Sequence, residues 1–252
     1  MNAMIFAAGH GSRLAPLTDN CPKALLSVGH MPMIEHAITM LRDCVGVNRV
    51  VINVHTHADK IEIWARENAE RLAVEIVLSD ERDCLLDTGG GLLKAENLLV
   101  KDEDILEPIV LYNADILTDI NLREMVENHK QSGACATLLT SDRKTSRKLL
   151  FDLSGRMRGW LNSETGDTKP PVIHDVDKLN SLAFGGIHVV DRSVFKHLHD
   201  YADEVGQIFS ITSFYTAVCN CMKIMSWKQP IGTRWIDAGK PESYAEANRL
   251  WC

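Results

Sequence analysis

The pattern of apolar and polar positions in the first half of the chain predicts strands and helices in alternation. Short runs of mostly apolar residues, several of them β-branched, predict buried strands at residues 3–7, 49–53, 73–78 and 109–112. Apolar residues spaced three or four positions apart predict helices at residues 34–41, 61–69 and 92–95. This alternation favours a largely parallel sheet with crossover helices.

The second half of the chain predicts further strands with helices between them. Strands are predicted at residues 136–140, 182–190, 222–227 and 235–237, with a hairpin at 149–160 that turns at Ser154-Gly155. Helices are predicted at residues 122–130, 195–198, 211–219 and 241–250, the last opened by Pro241. Two polar stretches, residues 141–148 and 162–179, are predicted to be loops.

These elements predict an α/β fold with a Rossmann-like, mixed and mostly parallel sheet flanked by helices. A chain of 252 residues can bury one large core or at most two small ones, and no linker or internal repeat divides it. Ligands bind such sheets at the carboxyl ends of the strands. We therefore expect residues 1–252 to form a single domain with its site at that edge.

Composition excludes several classes of function. The formal net charge of −7 argues against a nucleic-acid-binding surface, and no apolar run is long enough to predict a membrane span. The seven cysteines form no CxxC pair, and no secretory signal precedes Met4, so we expect reduced thiols in a cytoplasmic protein. The expected partners are small molecules, while monomer and homo-oligomer both remain open.

The loop after the first strand has the composition of a polyphosphate-binding loop. Gly9 and Gly11 let backbone N–H groups approach a ligand because no Cβ blocks the way, and Arg13 and Lys23 add two cations. Leu14 stands where the dinucleotide pattern GxGxxG needs its third glycine, and the P-loop pattern is absent as well. The alternative interpretation is a tight turn with two solvated cations.

A second glycine-rich stretch follows Thr88. Three glycines at residues 89–91 directly precede a predicted helix, which is unfavourable for the backbone unless something must lie against it. We interpret this stretch as an open platform for a flat base. The alternative is a flexible linker.

Asp115 and Asp237 both lie at the ends of predicted strands. A carboxylate at the carboxyl end of a strand in an α/β sheet is a suitable ligand for a hard cation such as Mg²⁺. A single aspartate in such a place is more often a cap or a turn residue. The metal prediction therefore depends on the phosphate loop that accompanies the pair.

The longest motif resembles that of a known family. Residues 7–25 read AAGHGSRLAPLTDNCPKAL, which is similar to the signature of the sugar-1-phosphate nucleotidyltransferases, and residues 235–242 read WIDAGKPE, which resembles that family's W-x-D-x-G-T-P-E. The chain departs from the family pattern at Ala114, where glycine is usual, and at Lys240, where threonine is usual. It also has Thr168-Lys169-Pro170 in place of Glu-Lys-Pro.

The resemblance implies a GT-A-like fold and a set of site residues. Residues 1–120 would bind the nucleotide and residues 121–252 the sugar phosphate. The implied catalytic residues are Arg13, Lys23, Asp115 and Asp237, with Mg²⁺ held by Asp115 and Asp237. The implied nucleotide-binding residues are Ala7, Ala8, Gly9, Gly11, Ser12, Arg13, Lys23, Thr88, Gly89 and Gly90, and the sugar-binding residues are Asn113, Lys169 and Gly186.

The resemblance further implies transfer of a nucleotidyl group from a nucleoside triphosphate to a sugar 1-phosphate, with release of pyrophosphate. The compact length and the runs at 88–91 and 113–119 resemble the branch that uses UTP and N-acetylmuramate α-1-phosphate in peptidoglycan recycling. Mannose-1-phosphate guanylyltransferases and glucose-1-phosphate nucleotidyltransferases share most of these residues and remain alternatives. A non-catalytic nucleotide-sugar sensor is an alternative from another class, although such a protein would be expected to lose one of the four catalytic residues.

Overall fold

The structure, a computed structural model that describes residues 1–100 and 107–251, is organised around a mixed β-sheet. The strands are β1 (Asn2–Phe6), β2 (Ser27–Val28), β3 (Met31–Pro32), β4 (Arg49–Val54), β5 (Glu75–Asp80), β6 (Ile109–Asn113), β7 (Ile116–Thr118), β8 (Ala136–Ser141), β9 (Arg147–Phe151), β10 (Met157–Asn162), β11 (Thr168–Lys169), β12 (Asn180–Val190), β13 (Ile224–Lys228) and β14 (Trp235–Asp237). The helices are α1 (Met33–Val45), α2 (Ala58–Leu72), α3 (Asp87–Lys94), α4 (Glu96–Leu99), α5 (Leu122–Ser132), α6 (Val194–Val205), α7 (Ile211–Val218) and α8 (Pro241–Leu250).

The central sheet runs in the order β11-β10-β9-β12-β6-β1-β4-β5. Strands β6, β1, β4 and β5 are parallel to one another, as their crossover helices require. The long strand β12 pairs antiparallel with β6, β8 and β9, and β13 joins parallel to β8. The prediction of one α/β domain with a mixed, mostly parallel sheet flanked by helices is confirmed.

The core lies on both faces of the sheet because alternate residues of the central strands point in opposite directions. In β1, Ala3 and Ile5 pack on the face covered by α1, α2 and α5, while Met4 packs on the face covered by α3, α6 and α7. Both faces are apolar, which explains why β1, β4 and β6 are nearly continuous hydrophobic runs. The part of the chain that the structure describes has no helix long and apolar enough to cross a membrane.

The second half of the chain differs from prediction in its two polar stretches. The loop predicted at residues 141–148 is shorter, because β8 continues through Ser141 and β9 already begins at Arg147. Within the stretch predicted as a loop at 162–179, residues 168 and 169 pair with β10 as the short strand β11. The hairpin turn is where predicted, since Gly155 has a φ of 81° between β9 and β10. These changes create a β9–β10–β11 sheet edge beside the site.

The parallel strands bring three loops to one edge of the sheet. Phe6, the last residue of β1, lies in register with Asn53 on β4 and with Asn113 on β6. The chain leaves β1 at Ala7, and the chain leaving β6 returns its Ala114 N–H to the Phe6 carbonyl at 3.1 Å. The two-stranded ribbon of β7 and β14 then places Asp237 opposite Ile116. Residues far apart in the sequence therefore meet at the end of β1.

Candidate active site

The most direct contact at this edge is an ion pair between two of the predicted catalytic residues. Lys23 Nζ lies 2.6 Å from Asp115 Oδ2, and only 8% of Asp115 is exposed. Lys23 opens a short 3-10 turn in the loop after β1, and Asp115 lies between β6 and β7. Ala114, the departure from the family pattern, has no positive φ, so the carboxylate keeps its place without backbone strain.

Asp237 and Arg13 converge on the same point. A Cβ built on Gly239 would stand 2.8 Å from Asp237 Oδ1, 3.0 Å from Asp115 Oδ2 and 3.1 Å from Arg13 Nη2. Only glycine leaves this space free, and its N–H donates to Asp237 Oδ1 at 2.9 Å. The structure thus brings all four predicted catalytic residues together. The alternative interpretation, a turn with two solvated cations, is wrong for Lys23, which is paired and mostly buried.

The donor set fits a magnesium ion. Mg²⁺ is usually bound by one or two carboxylates, with phosphate oxygens and water in the remaining positions. Asp115 and Asp237 point their oxygens into the small space kept open by Gly239. Across residues 1–100 and 107–251 there is no cluster of three or more His, Cys, Asp or Glu side chains that could enclose a metal completely. Two carboxylates beside open space suit a metal shared with a substrate rather than a structural site.

A buried hydrogen-bond network holds the loop after β1. The Ala7 N–H donates to Asn53 Oδ1 at 2.8 Å, and Asn53 Nδ2 donates to Glu81 Oε1 at 2.8 Å. The second oxygen of Glu81, a fully buried side chain, accepts the Leu86 N–H at 3.0 Å. This network connects the ends of β1, β4 and β5 with the segment that leads into α3. We did not predict Asn53 or Glu81, although a polar residue that ends the apolar run 49–53 was a usable signal.

The remaining residues of the first loop have distinct positions. Ala7, Ala8 and Gly9 line a cavity at the carboxyl end of β1, while Gly11 and Ser12 form the turn that presents Arg13. Gly11 has a φ of 68°, and a Cβ there would press against Thr18 and Lys23. Gly11 is therefore required by the backbone conformation and by the packing under Lys23. Its direct contact with a nucleotide, like that of Ser12, stays a prediction.

The three glycines at 89–91 lie inside α3 and are buried. A Cβ on Gly90 would stand 2.0 Å from the Gln207 carbonyl oxygen, and one on Gly91 would stand 2.7 Å from Glu81 Oε1. The N–H groups of Gly89 and Gly90 both donate to the Phe209 carbonyl. The expectation of an open glycine platform is wrong, because the chain itself lies against these residues. The nucleotide-binding roles of Gly89 and Gly90 stay predictions.

Two cavities meet at Arg13 and Asp237. The first, which we call the loop-side cavity, has a volume of about 510 Å³. Its lining includes Ala7, Ala8, Gly9, Arg13, Lys23, Asn53, Leu85, Asp87, Thr88, Asn113, Asp115, Ile208 and Asp237. Thr88 lies at its rim, where its hydroxyl accepts the Ile211 N–H at 2.9 Å. Most of the residues predicted to bind a nucleotide therefore border one cavity.

The second cavity, which we call the hairpin-side cavity, lies between the β9–β10 hairpin and α7 and has a volume of about 840 Å³. Its charged lining residues are Arg13, Arg143, Lys144, Arg147, Lys169, Lys240 and Asp237. Serine and threonine hydroxyls from the start of α7 and the ring of Trp160 complete the wall. Six cations against one carboxylate make this cavity strongly attractive to anions, although the chain as a whole is acidic. Arg13 and Asp237 line both cavities.

Two of the three predicted sugar-binding residues, Asn113 and Gly186, are neighbours, whereas Lys169 lies in the other cavity. Lys169 lines the hairpin-side cavity, with its Nζ 5.6 Å from the centre of the Trp160 ring. Asn113 lines the loop-side cavity. Gly186 lies behind Asn113, where a Cβ would stand 2.9 Å from Asn113 Nδ2 and 3.0 Å from Ile116. Gly186 thus has a packing reason for being glycine, and its contact with a sugar stays a prediction.

Arg143 belongs to the polar stretch 141–148 that the sequence predicts as a loop, and the structure distinguishes it from the other cations there. Its guanidinium carbon lies 4.0 Å from the centre of the Trp235 ring, and its Nη2 donates to the Phe184 carbonyl at 2.7 Å. Desolvation lowers the pKa of Arg143 from its usual range, and the charge of Asp237 opposes that shift. No local sequence signal pairs residue 143 with residue 235, because the contact forms only when β8 and β14 are assembled.

Comparison with known proteins agrees with this geometry. Residues 2–149 match the profile of the Nucleotidyl transferase family. The chain is 27% identical to the mannose-1-phosphate guanylyltransferase catalytic subunit beta of Xenopus tropicalis, over 95% of this chain and 69% of that protein. Among solved structures, it matches a Bacillus anthracis protein provisionally assigned as a glucose-1-phosphate thymidylyltransferase, with a TM-score of 0.81, 20% identity, and 99% and 94% of the two chains covered. A UDP-glucose pyrophosphorylase complexed with UDP-glucose matches with a TM-score of 0.75, 16% identity, and 99% and 97% of the two chains covered.

The family match covers more than half of the chain, and it includes the loop with Arg13 and Lys23 as well as Asp115. The structural matches show the same fold over nearly the whole chain. The sequence prediction of the family is therefore confirmed, and the chain belongs to the Nucleotidyl transferase family as an enzyme of the sugar-1-phosphate nucleotidyltransferase type.

Proposed function

We propose that this enzyme transfers a uridylyl group from UTP to N-acetylmuramate α-1-phosphate, with Mg²⁺, in the cytoplasm. The products are the UDP-sugar and pyrophosphate. The observation that carries the proposal is the junction of two cavities at Arg13 and Asp237, one bordered by the glycine loop and the other rich in cations. A nucleoside triphosphate and an anionic sugar phosphate would approach each other from the two sides of that junction.

The chemistry needs positioning and charge neutralisation more than proton transfer. The attacking oxygen of a sugar 1-phosphate is already ionised, so no general base is required, but two anions must be brought together. Arg13, at the junction, would hold the β- and γ-phosphates with its planar fork. Lys23 would offset negative charge near the α-phosphate. Asp115 and Asp237 would hold Mg²⁺, which when bound polarises phosphate oxygens and neutralises their charge.

The proposed acceptor is supported by the charge of the hairpin-side cavity. A neutral hexose 1-phosphate brings a single phosphate, whereas N-acetylmuramate adds a lactyl carboxylate. Besides Arg13, the cavity offers five cations, from Arg143, Lys144, Arg147, Lys169 and Lys240. Such a surplus of positive charge is more than one phosphate needs, and it favours an acceptor with a second anionic group.

The proposal of UTP as the nucleotide has a separate basis from the proposal of the sugar. The argument from an open glycine platform no longer applies, since residues 89–91 are buried, so UTP is proposed from the resemblance to the muramate branch alone. A second candidate, GTP with mannose 1-phosphate, is favoured by the name of the Xenopus tropicalis relative. Its catalytic residues would be the same, so the two candidates differ only in what fills the cavities.

A substrate matrix tests the proposal. Purified enzyme with MgCl₂ is assayed for pyrophosphate release with UTP, GTP, dTTP and ATP, each against the 1-phosphates of N-acetylmuramate, N-acetylglucosamine, glucose and mannose. We expect the highest kcat/KM for UTP with N-acetylmuramate α-1-phosphate. A higher value for GTP with mannose 1-phosphate would contradict the proposed substrates and leave nucleotidyl transfer intact. No release with any pair would instead favour a sensor.

A further inference from the structure

We propose that Arg143 binds the second anionic group of the acceptor, and so determines which sugar 1-phosphate the enzyme prefers. The inference rests on the proposed function, because it concerns the acceptor of the same reaction. It goes further by assigning one residue, and one chemical group on the sugar, to a cavity in which several cations compete for the role.

Two specific contacts hold the Arg143 side chain in one orientation. Its guanidinium stacks on the Trp235 ring at 4.0 Å, and its Nη2 donates to the Phe184 carbonyl at 2.7 Å. Trp235 is fixed in turn, since its Nε1 donates to the adjacent Gly185 carbonyl at 2.8 Å. The pairing of β12 with β8 shifts register between Phe184 and His188. This irregularity leaves the Phe184 and Gly185 carbonyls available to accept these two hydrogen bonds. Irregularities of this kind are common next to active sites, where they redirect side chains.

Arg143 also lacks the partner that a half-buried arginine normally has. Its Nη1 is buried with no hydrogen-bond partner, and none of the described carboxylates forms an ion pair with it. Asp237 lines the same cavity but does not approach within ion-pair distance. A partly buried guanidinium without an anionic partner is unfavourable because it has lost hydration. A charge-assisted hydrogen bond from Arg143 to an anion in the cavity would offset that desolvation cost. Because the side chain is already ordered, little rotamer entropy is lost when the anion arrives.

Position distinguishes Arg143 from the cations at the reacting phosphates. Trp235 and Asp237 are two residues apart on β14, so they lie on one face and about 7 Å apart along the strand. A group stacked on Trp235 is therefore separated from the junction by roughly the width of one sugar ring. With the 1-phosphate of the acceptor at the junction beside Asp237, a substituent across the ring would reach Arg143. A carboxylate there would meet the guanidinium edge.

The other cations of the loop lack the contacts that hold Arg143 in place. Lys144 and Arg147 line the same cavity but are exposed, and neither has an aromatic ring beneath it among the described residues. They make the electrostatic potential of the cavity more positive, but they do not hold a bound anion in one orientation. Arg147 is therefore a charge-matched control for Arg143, since both substitutions remove one positive charge from one cavity wall.

The test compares two acceptors that differ by the carboxylate-bearing group. Wild type, Arg143→Gln, Arg143→Lys and Arg147→Gln are assayed with N-acetylmuramate 1-phosphate and with N-acetylglucosamine 1-phosphate under identical UTP and Mg²⁺. For Arg143→Gln we expect kcat/KM to fall about 10- to 100-fold with the muramate substrate and by less than about 3-fold with the other, as expected for loss of a charged hydrogen bond. Arg143→Lys, which keeps the charge and most of the packing, should retain part of the preference. Arg147→Gln should weaken both acceptors by a similar small factor.

Three results would overturn the inference. Equal losses with both acceptors in Arg143→Gln would assign Arg143 to the phosphate, and unchanged kcat/KM values with both acceptors would show that it contacts neither group. If Arg143→Gln does not fold, an unchanged preference in Arg143→Lys together with loss of preference in Arg147→Gln would transfer the role to Arg147. A wild type that prefers the neutral sugar would instead contradict the proposed substrate, which distinguishes that failure from a failure of Arg143.

Discussion

Lys23 Nζ lies 2.6 Å from Asp115 Oδ2, so a cation proposed for the α-phosphate and a carboxylate proposed for the metal are already paired with each other. Each side chain holds the other in place in a largely buried position. A metal ion at Asp115 and a phosphate near Lys23 would compete with this contact. We therefore expect the pair to act as a preorganised element that would exchange its internal contact for contacts with metal and substrate.

The carboxylates give the first prediction. Asp115→Asn and Asp237→Asn should each lower kcat by about 100-fold or more, the scale of losing one charge-stabilising group in an active site. The double variant should lose little more than the worse single variant, because both act on the same ion. Asp119→Asn is the matched control, since Asp119 pairs with Arg234 Nε at 2.7 Å instead of facing the junction. Near-normal turnover in either test variant at saturating Mg²⁺ would contradict the metal assignment.

The second prediction concerns Lys23. Lys23→Ala should lower kcat on the order of 100-fold, because a charge beside the reacting phosphorus is lost. Breaking an exposed ion pair should do nothing comparable, so Lys178→Ala, which breaks the 3.0 Å pair with Asp175, serves as control. Steady-state pyrophosphate release measures both. Equal rates for the two variants would make the Lys23–Asp115 pair structural only.

The third prediction separates geometry from charge at Arg13. Arg13→Lys keeps one positive charge but loses the planar fork that binds two phosphate oxygens at once. We expect kcat/KM for the triphosphate to fall about 10- to 100-fold. The free energy of unfolding should stay within about 0.5 kcal/mol of wild type, because Arg13 is exposed. Arg13→Gln should fall further, and equal activity of Lys and Gln variants would contradict a role for the charge.

The two glycine stretches give a fourth prediction. Gly90→Ala should lose about 1–3 kcal/mol of stability, although alanine favours helices, because its Cβ would stand 2.0 Å from the Gln207 carbonyl oxygen. Gly9→Ala should leave stability unchanged, since nothing lies within 4 Å of its Cβ, but should raise KM for the triphosphate, because Gly9 lines the loop-side cavity. Urea unfolding and initial rates measure the two effects. A stable Gly90→Ala variant would refute the packing account.

The sequence predicts features that depend on local residue patterns, but it does not predict contacts between residues that are far apart along the chain. Strand ends at Asp115 and Asp237 were predictable because a buried strand is a local apolar run, and parallel strands bring their carboxyl ends to one edge. The interpretation of Gly89 and Gly90 as a platform was wrong because the atoms that cover them belong to residues 207–209, more than 100 positions away. The Arg143–Trp235 stack has the same origin, since only the assembled sheet brings β8 and β14 together.

The last prediction concerns acid stability. His188 and His129 are buried, and desolvation lowers their pKa values from 6.5 to about 3 and about 4. The unfolded chain therefore takes up these two protons first as the pH falls, so folded-state stability is lost from about pH 6.5 downward until the folded-state pKa values are reached. Each histidine adds about 1.4 kcal/mol per pH unit to the slope in that window.

His188→Asn keeps a hydrogen-bonding group for the Tyr215 hydroxyl, 2.6 Å from Nδ1, but cannot titrate. The difference in unfolding free energy between pH 6 and pH 5 should be about 1 kcal/mol smaller in this variant, and a further similar amount smaller when His129→Asn is added. Urea unfolding at the two pH values measures it. An unchanged difference would mean that His188 takes up its proton in the folded protein as readily as in the unfolded chain.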